Sequence, residues 1–110
     1  GEARITGAYD LPCRYVIHAV GPRYWDGTRG ESELLTRCYQ SIFSLTEKHG
    51  IESISIPAIG TGIYRYPVRE ATEIAFATTL AAQDKQNLSV EFVCFDEDTA
   101  HIYEKTYQRT

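Results

Sequence analysis

Apolar and polar positions switch between two periods along the chain, and the switches predict alternating strands and helices. Arg14-Tyr15-Val16-Ile17-His18-Ala19-Val20 reads as a mostly apolar strand, halted by Gly21-Pro22. A loop from Arg23 to Gly30 follows, with Trp25 and the turn pair Asp26-Gly27. From Ser32 onward Leu35, Cys38, Tyr39, Ile42, Phe43 and Leu45 fall at helical spacing, with Ser32 the expected N-cap and Gly50 the expected stop. A second strand is expected over Ser53 to Ile59. A helix then starts near Pro67 and carries Ala71, Ile74, Ala75, Thr78 and Leu80 on its periodic positions. Asn87 marks a turn, Leu88 to Phe95 reads as a third strand, and a last helix presents Ala100, Tyr103 and Tyr107.

This succession with apolar strands predicts an α/β protein: a three-layer α/β/α sandwich whose central mixed sheet has mainly parallel strands. The strand set is expected to run through Tyr15–Val20, Ser53–Ile59 and Val90–Phe95. Ligands of such sheets sit beyond the carboxyl ends of the strands. Gly21-Pro22, Gly60 to Tyr64 and Phe95-Asp96 meet that criterion and should line one crevice.

The segment Ser55-Ile56-Pro57-Ala58-Ile59-Gly60-Thr61-Gly62-Ile63-Tyr64-Arg65-Tyr66-Pro67 gives that crevice a chemistry. A strand that feeds a glycine turn and then a helix N-terminus builds an anion site, because glycine admits close backbone approach and the helix end carries partial positive charge. On this reading the amides and Thr61 grip phosphate while Tyr64 packs on a sugar. The alternative is a tight turn flanked by half-buried Tyr64 and Tyr66. Phe95, at the third strand's carboxyl end, suits stacking on a base or a place in the core. His18 fits a hydrogen-bonded structural role, and Asp96-Glu97-Asp98 fits helix capping better than a catalytic carboxylate cluster.

Composition narrows the partners. A single domain of 110 residues with a net charge of −4 lacks the basic face that a sequence-tolerant nucleic-acid binder needs. No apolar run approaches the roughly 20 residues of a membrane span, and the N-terminus lacks a signal-peptide pattern. Cys13, Cys38 and Cys94 offer neither a disulfide framework nor metal spacing, and the histidines do not pair with them at zinc-like intervals. Reduced core thiols and a cytoplasmic location are the expectation, with no metal or cofactor indicated.

Four blocks carry a family resemblance: Gly1 to Gly7, Leu11 to Pro22, Pro57 to Pro67, and Phe92 to Tyr103. In order and over the whole chain they resemble a macro domain, the last block specifically the bacterial ADP-ribosyl hydrolases that deacetylate O-acetyl-ADP-ribose. The sequence departs from those enzymes where Gly60 replaces their common Ser, Cys13 their usual Ala and Arg65 their usual Gly. The resemblance implies ADP-ribose as ligand, with Gly60, Thr61, Gly62, Ile63 and Tyr64 as second phosphate loop, Tyr64 against the distal ribose, and Phe95 flanking adenine. It also implies that residues 1–110 form the later part of the domain. The first strands, the adenine-binding acid and the first phosphate loop with its catalytic Asn and Asp would lie upstream, so no catalytic residue is inherited here. Three readings stay open: a hydrolase of O-acetyl-ADP-ribose or mono-ADP-ribosyl esters (with Appr-1-p processing), a non-catalytic reader of ADP-ribosylated proteins, and an inactive fragment. A missing segment, self-association or trimming would each account for the absent front.

Overall fold

Four strands and three helices follow one another as β1 (Ala3–Gly7), β2 (Tyr15–Ala19), α1 (Glu31–Lys48), β3 (Ser53–Pro57), α2 (Val68–Gln83), β4 (Ser89–Val93) and α3 (Glu97–Arg109). The computed structural model describes residues 2–8, 12–61 and 65–109. The α/β class is the expected one, and the element positions follow the hydrophobic pattern.

The longest helix, α1, buries Leu35, Cys38, Tyr39, Ile42 and Phe43 on one stripe, the i, i+3, i+4, i+7 pattern of a half-buried helix. Its start differs from the expected Ser32 cap. Gly30, at φ +76°, occupies the cap position without a side-chain bond, and the helix begins at Glu31. A side-chain cap is dispensable here because Glu31 itself organises the preceding loop. At the other end Gly50 does act as the stop, at φ +63°. Its N–H reaches Glu47 O at 3.3 Å while the Ile51 N–H reaches Thr46 O at 2.9 Å, a Schellman closure.

β3 and β4 pair in parallel, with Ile54 opposite Val90 and Ile56 opposite Phe92. Phe92 meets both Phe76 of α2 and Tyr103 of α3, each at 5.3 Å between ring centroids. Ile56 joins Leu35, Tyr39, Ala71 and Ala75 in the core. All three helices therefore cover the same face of the strands. On the other face Ser53, Ser55, Pro57, Ser89, Glu91 and Val93 are exposed, so a second helical layer is not supplied by the described residues.

The strand set also differs from one continuous sheet. β2 pairs antiparallel with β1, a strand the hydrophobic pattern does not predict, and the two ladders are separate. Ala3, Ile17 and Ala19 turn toward the core under α1. His18 sits on the outer face, with Nε2 3.0 Å from Thr6 Oγ1, in the structural role expected of it. Of the three cysteines, all free, only Cys38 is a core thiol; Cys13 is exposed and Cys94 half-buried.

Candidate functional site

The ends of β2 and β3 converge although the strands do not pair. A Cβ on Gly21 would lie 2.7 Å from Ile59 Cγ2 and 3.4 Å from the Gly60 amide nitrogen. Only glycine lets these two chain ends touch, which is why the Gly21-Pro22 halt sits where it does. β4 completes the arrangement. Because Pro57 is paired with Val93, residues 60–61 and Phe95 lie just beyond the carboxyl ends of neighbouring parallel strands. Gly21, residues 60–61 and Phe95, which belong to the three segments expected to line one crevice, thus share one end of the fold.

Gly60 adopts φ +82°, a conformation that costs an L-residue about 1–2 kcal/mol, so glycine is the fitting residue there. The Tyr66 N–H donates to Gly60 O at 2.8 Å and closes the loop. Among the described residues, the Gly60 and Thr61 N–H groups have no backbone carbonyl partner. Two such amides in a glycine turn are the kind of donors an oxyanion needs. The Thr61 hydroxyl donates to Ala58 O at 3.0 Å, so its proton braces the turn and is not on offer to a ligand. Gly62, Ile63 and Tyr64 lie outside the described residues.

Helix α2 follows the loop, with Pro67 at its cap position. Its first turn carries Glu70, which already complements the helix dipole. The turn amides, more than the helix end, are therefore what the loop offers an anion. Phe95 is 86% exposed, which decides its role against the core. A large ring standing in solvent at the sheet end is available for stacking.

Two supports were not visible in the hydrophobic pattern. Tyr66 is buried, and its ring meets Tyr24 edge-on at 4.9 Å, tying the Gly60 turn to the loop after β2. For Tyr66 the half-buried aromatic reading is therefore the correct one, carried further into the core. Tyr39 of α1 accepts the Ile59 N–H; burial pushes its phenol far above the ordinary value, with this bond pulling the other way. A tyrosine at helical spacing with its hydroxyl aimed at a strand end leaves no local signature.

Asp96 caps α3, as expected. It accepts the Thr99 N–H at 2.7 Å and the Thr99 hydroxyl at 3.1 Å, and these bonds hold its carboxyl below the ordinary value. No group of three or more His, Cys, Asp or Glu side chains able to hold a metal occurs among the described residues. No helix is long and apolar enough to cross a membrane among them. A separate groove of about 820 Å³ runs between α1 and α2, with Tyr66 at one end.

A family model described as Macro domain matches residues 1–75. An O-acetyl-ADP-ribose deacetylase of Pantoea vagans is 46% identical over 107 residues, 96% of this chain and 63% of that protein. A macro domain-containing protein of Mesorhizobium japonicum is 46% identical over 94% of this chain and 60% of its own length. The chain thus spans somewhat less than two thirds of these relatives. Among solved structures, the Oceanobacillus iheyensis macrodomain with ADP superposes at TM-score 0.91, with 36% identity over 98% of this chain and 57% of that one. The Trypanosoma brucei macrodomain in complex with ADP-ribose gives 0.86 and 39% over 96% and 44%.

Proposed function

The chain belongs to the macro domain family, and from that premise we propose that residues 1–110 form the part of such a domain that grips the diphosphate and adenine of ADP-ribose. The observation that carries this reading is one constellation. The Gly60 and Thr61 amides, without a backbone carbonyl partner among the described residues, stand at the end of β3, and an exposed Phe95 stands at the end of its parallel neighbour β4. Oxygens of the pyrophosphate accept from the amides while adenine stacks on Phe95. Solved relatives that hold ADP and ADP-ribose support the choice of ligand.

Hydrolysis of an O-acetyl-ADP-ribose or mono-ADP-ribosyl ester is the parent activity we infer, following the deacetylase names of the relatives. These residues contribute to it by holding the ligand while a positioned water attacks near the distal ribose, which makes catalysis largely a matter of orientation. Neither Asp96 nor His18 stands ready as the base for that water: both Asp96 oxygens serve Thr99, and His18 bonds Thr6 on the outer face of the strands. A reader of ADP-ribosylated proteins is the second reading this favours. A cytoplasmic setting and the Appr-1-p class of substrates fit either.

Calorimetry with ADP-ribose tests binding, and release of acetate or ADP-ribose separates hydrolase from reader. Phe95→Ala is expected to weaken ADP-ribose by about 1–3 kcal/mol with an unchanged melting temperature, since the ring buries almost nothing in the empty protein. Tyr64→Ala should likewise cost about 1 kcal/mol or more of affinity and leave the fold intact. A loss of roughly 3–5 kcal/mol of stability would instead mark Tyr64 as a core aromatic. Gly62→Val is the companion change, expected to block the backbone's approach to phosphate. Unchanged affinity in all three would remove the assignment.

A further inference from the structure

The loop joining β2 to α1 holds the chain's one tryptophan in the open: Trp25 is 57% exposed. Two guanidinium carbons flank its ring, Arg23 at 4.5 Å and Arg29 at 5.3 Å from the centroid. Arg29 lies 3.7 Å from Asp26, whereas Arg23 has no ion-pair partner among the described residues.

The loop is built to hold its shape. One buried carboxylate, Glu31, accepts four backbone N–H groups: those of Trp25, Asp26 and Gly27 on Oε2 at 2.9, 3.0 and 2.9 Å, and that of Arg29 on Oε1 at 2.7 Å. Thr28 adds its N–H and hydroxyl to Asp26 Oδ1. A surface fixed in this way loses little entropy when a partner arrives, and Trp with Arg is the composition of binding hot spots.

The same loop starts at the phosphate turn. Gly21 touches Ile59 and Gly60, and Tyr24 packs on Tyr66, whose N–H bonds Gly60 O. Three residues lie between Gly21 and Trp25, so the four residue steps span at most about 14 Å of chain. A polymer attached to a ligand in the turn reaches the indole within a few residues.

We propose that Arg23, Trp25 and Arg29 form a docking surface for an acidic polypeptide segment, the protein portion of an ADP-ribosylated partner whose nucleotide occupies the phosphate turn. This rests on the ADP-ribose reading. Charge complementarity selects the occupant: guanidinium forks take discrete carboxylates in pairs of hydrogen bonds, while the indole covers the apolar stems between them. A nucleic acid suits the surface poorly. Asp26 sits among the arginines, and a net charge of −4 opposes a continuous phosphate backbone.

The experiment is calorimetry of the protein with four probes. These are free ADP-ribose, a Glu-rich peptide carrying one non-hydrolysable ADP-ribosyl group, the same conjugate with its other Glu residues changed to Gln, and an ADP-ribosylated oligonucleotide. The acidic conjugate is expected to bind about tenfold tighter than free ADP-ribose, and the neutral conjugate no tighter than it. Trp25→Ala and Arg23→Glu should erase the preference while free ADP-ribose stays within about twofold, and Trp25→Phe should keep most of it. Equal affinity for acidic and neutral conjugates in the unaltered protein overturns the docking surface alone and needs no variant. Tighter binding of the oligonucleotide, or an equal loss of free ADP-ribose in the variants, overturns it too. Failure of the unaltered protein to bind ADP-ribose at all overturns both readings.

Discussion

Arg65 is the one described non-glycine residue at positive φ, +59°. That conformation costs an L-residue about 1–2 kcal/mol, whereas glycine adopts it freely but gives up about 0.5–1 kcal/mol of unfolded-chain entropy. The first effect outweighs the second. Arg65→Gly is therefore expected to raise stability by about 0.5 kcal/mol, read as a higher urea midpoint at unchanged slope. A lower midpoint would mean that the arginine side chain makes an offsetting contact. The departure from the family's usual glycine was legible in the sequence, and its backbone meaning was not, because φ depends on how the loop closes through Tyr66. The same limit applies to Thr61. Gly-Thr-Gly announces a turn, but the commitment of the hydroxyl to Ala58 O follows from the turn's shape. Phe95 lies two residues past the end of β4, so strand alternation never reached it.

At the scale of elements, the loop held by Glu31 gives the protein an acid-sensitive part. Burial alone would push this carboxyl up, but four backbone N–H bonds outweigh it and hold the group at about 2, below its ordinary 4.5. A lowered folded value means that the contribution to stability is full above about 4.5 and is lost as pH falls toward 2. Trp25 fluorescence reports this loop directly, and it is expected to change across that window. Glu31→Gln should already show the acid-state emission at neutral pH, with a lower melting temperature. Asp26, also held low by its bonds to Thr28, titrates nearby, so persistence of the full fluorescence change in Glu31→Gln would assign it to Asp26 instead. Sequence spacing placed α1, α2 and α3 well, since their stripes are long enough to average out exceptions. It missed β1, where Ala3-Arg4-Ile5-Thr6-Gly7 has only one strongly apolar residue and is a strand because β2 pairs with it.

For the whole molecule, the two ladders differ in what holds them. β3 and β4 are backed by the Phe76, Phe92 and Tyr103 cluster and by Ile56 in the core. β1 and β2 are packed by α1, through partly buried Ala3, Ile17 and Ala19. A two-stranded ladder with so little apolar cover is marginal on its own and should open locally before the rest unfolds. Native-state hydrogen exchange is expected to show β1 and β2 amides opening with a lower free energy than those of Ile54, Ile56 and Phe92. The touching ends of β2 and β3 add a functional consequence. At the proposed site a ligand would be held by the turn that Gly21 touches, so ADP-ribose should slow exchange in β2 as well as in the turn. Protection confined to the turn would show that the contact between Gly21 and Gly60 does not couple the ladders. Equal opening free energies in the two ladders without ligand would show that α1 alone holds β1 and β2 as firmly as the aromatic cluster holds β3 and β4.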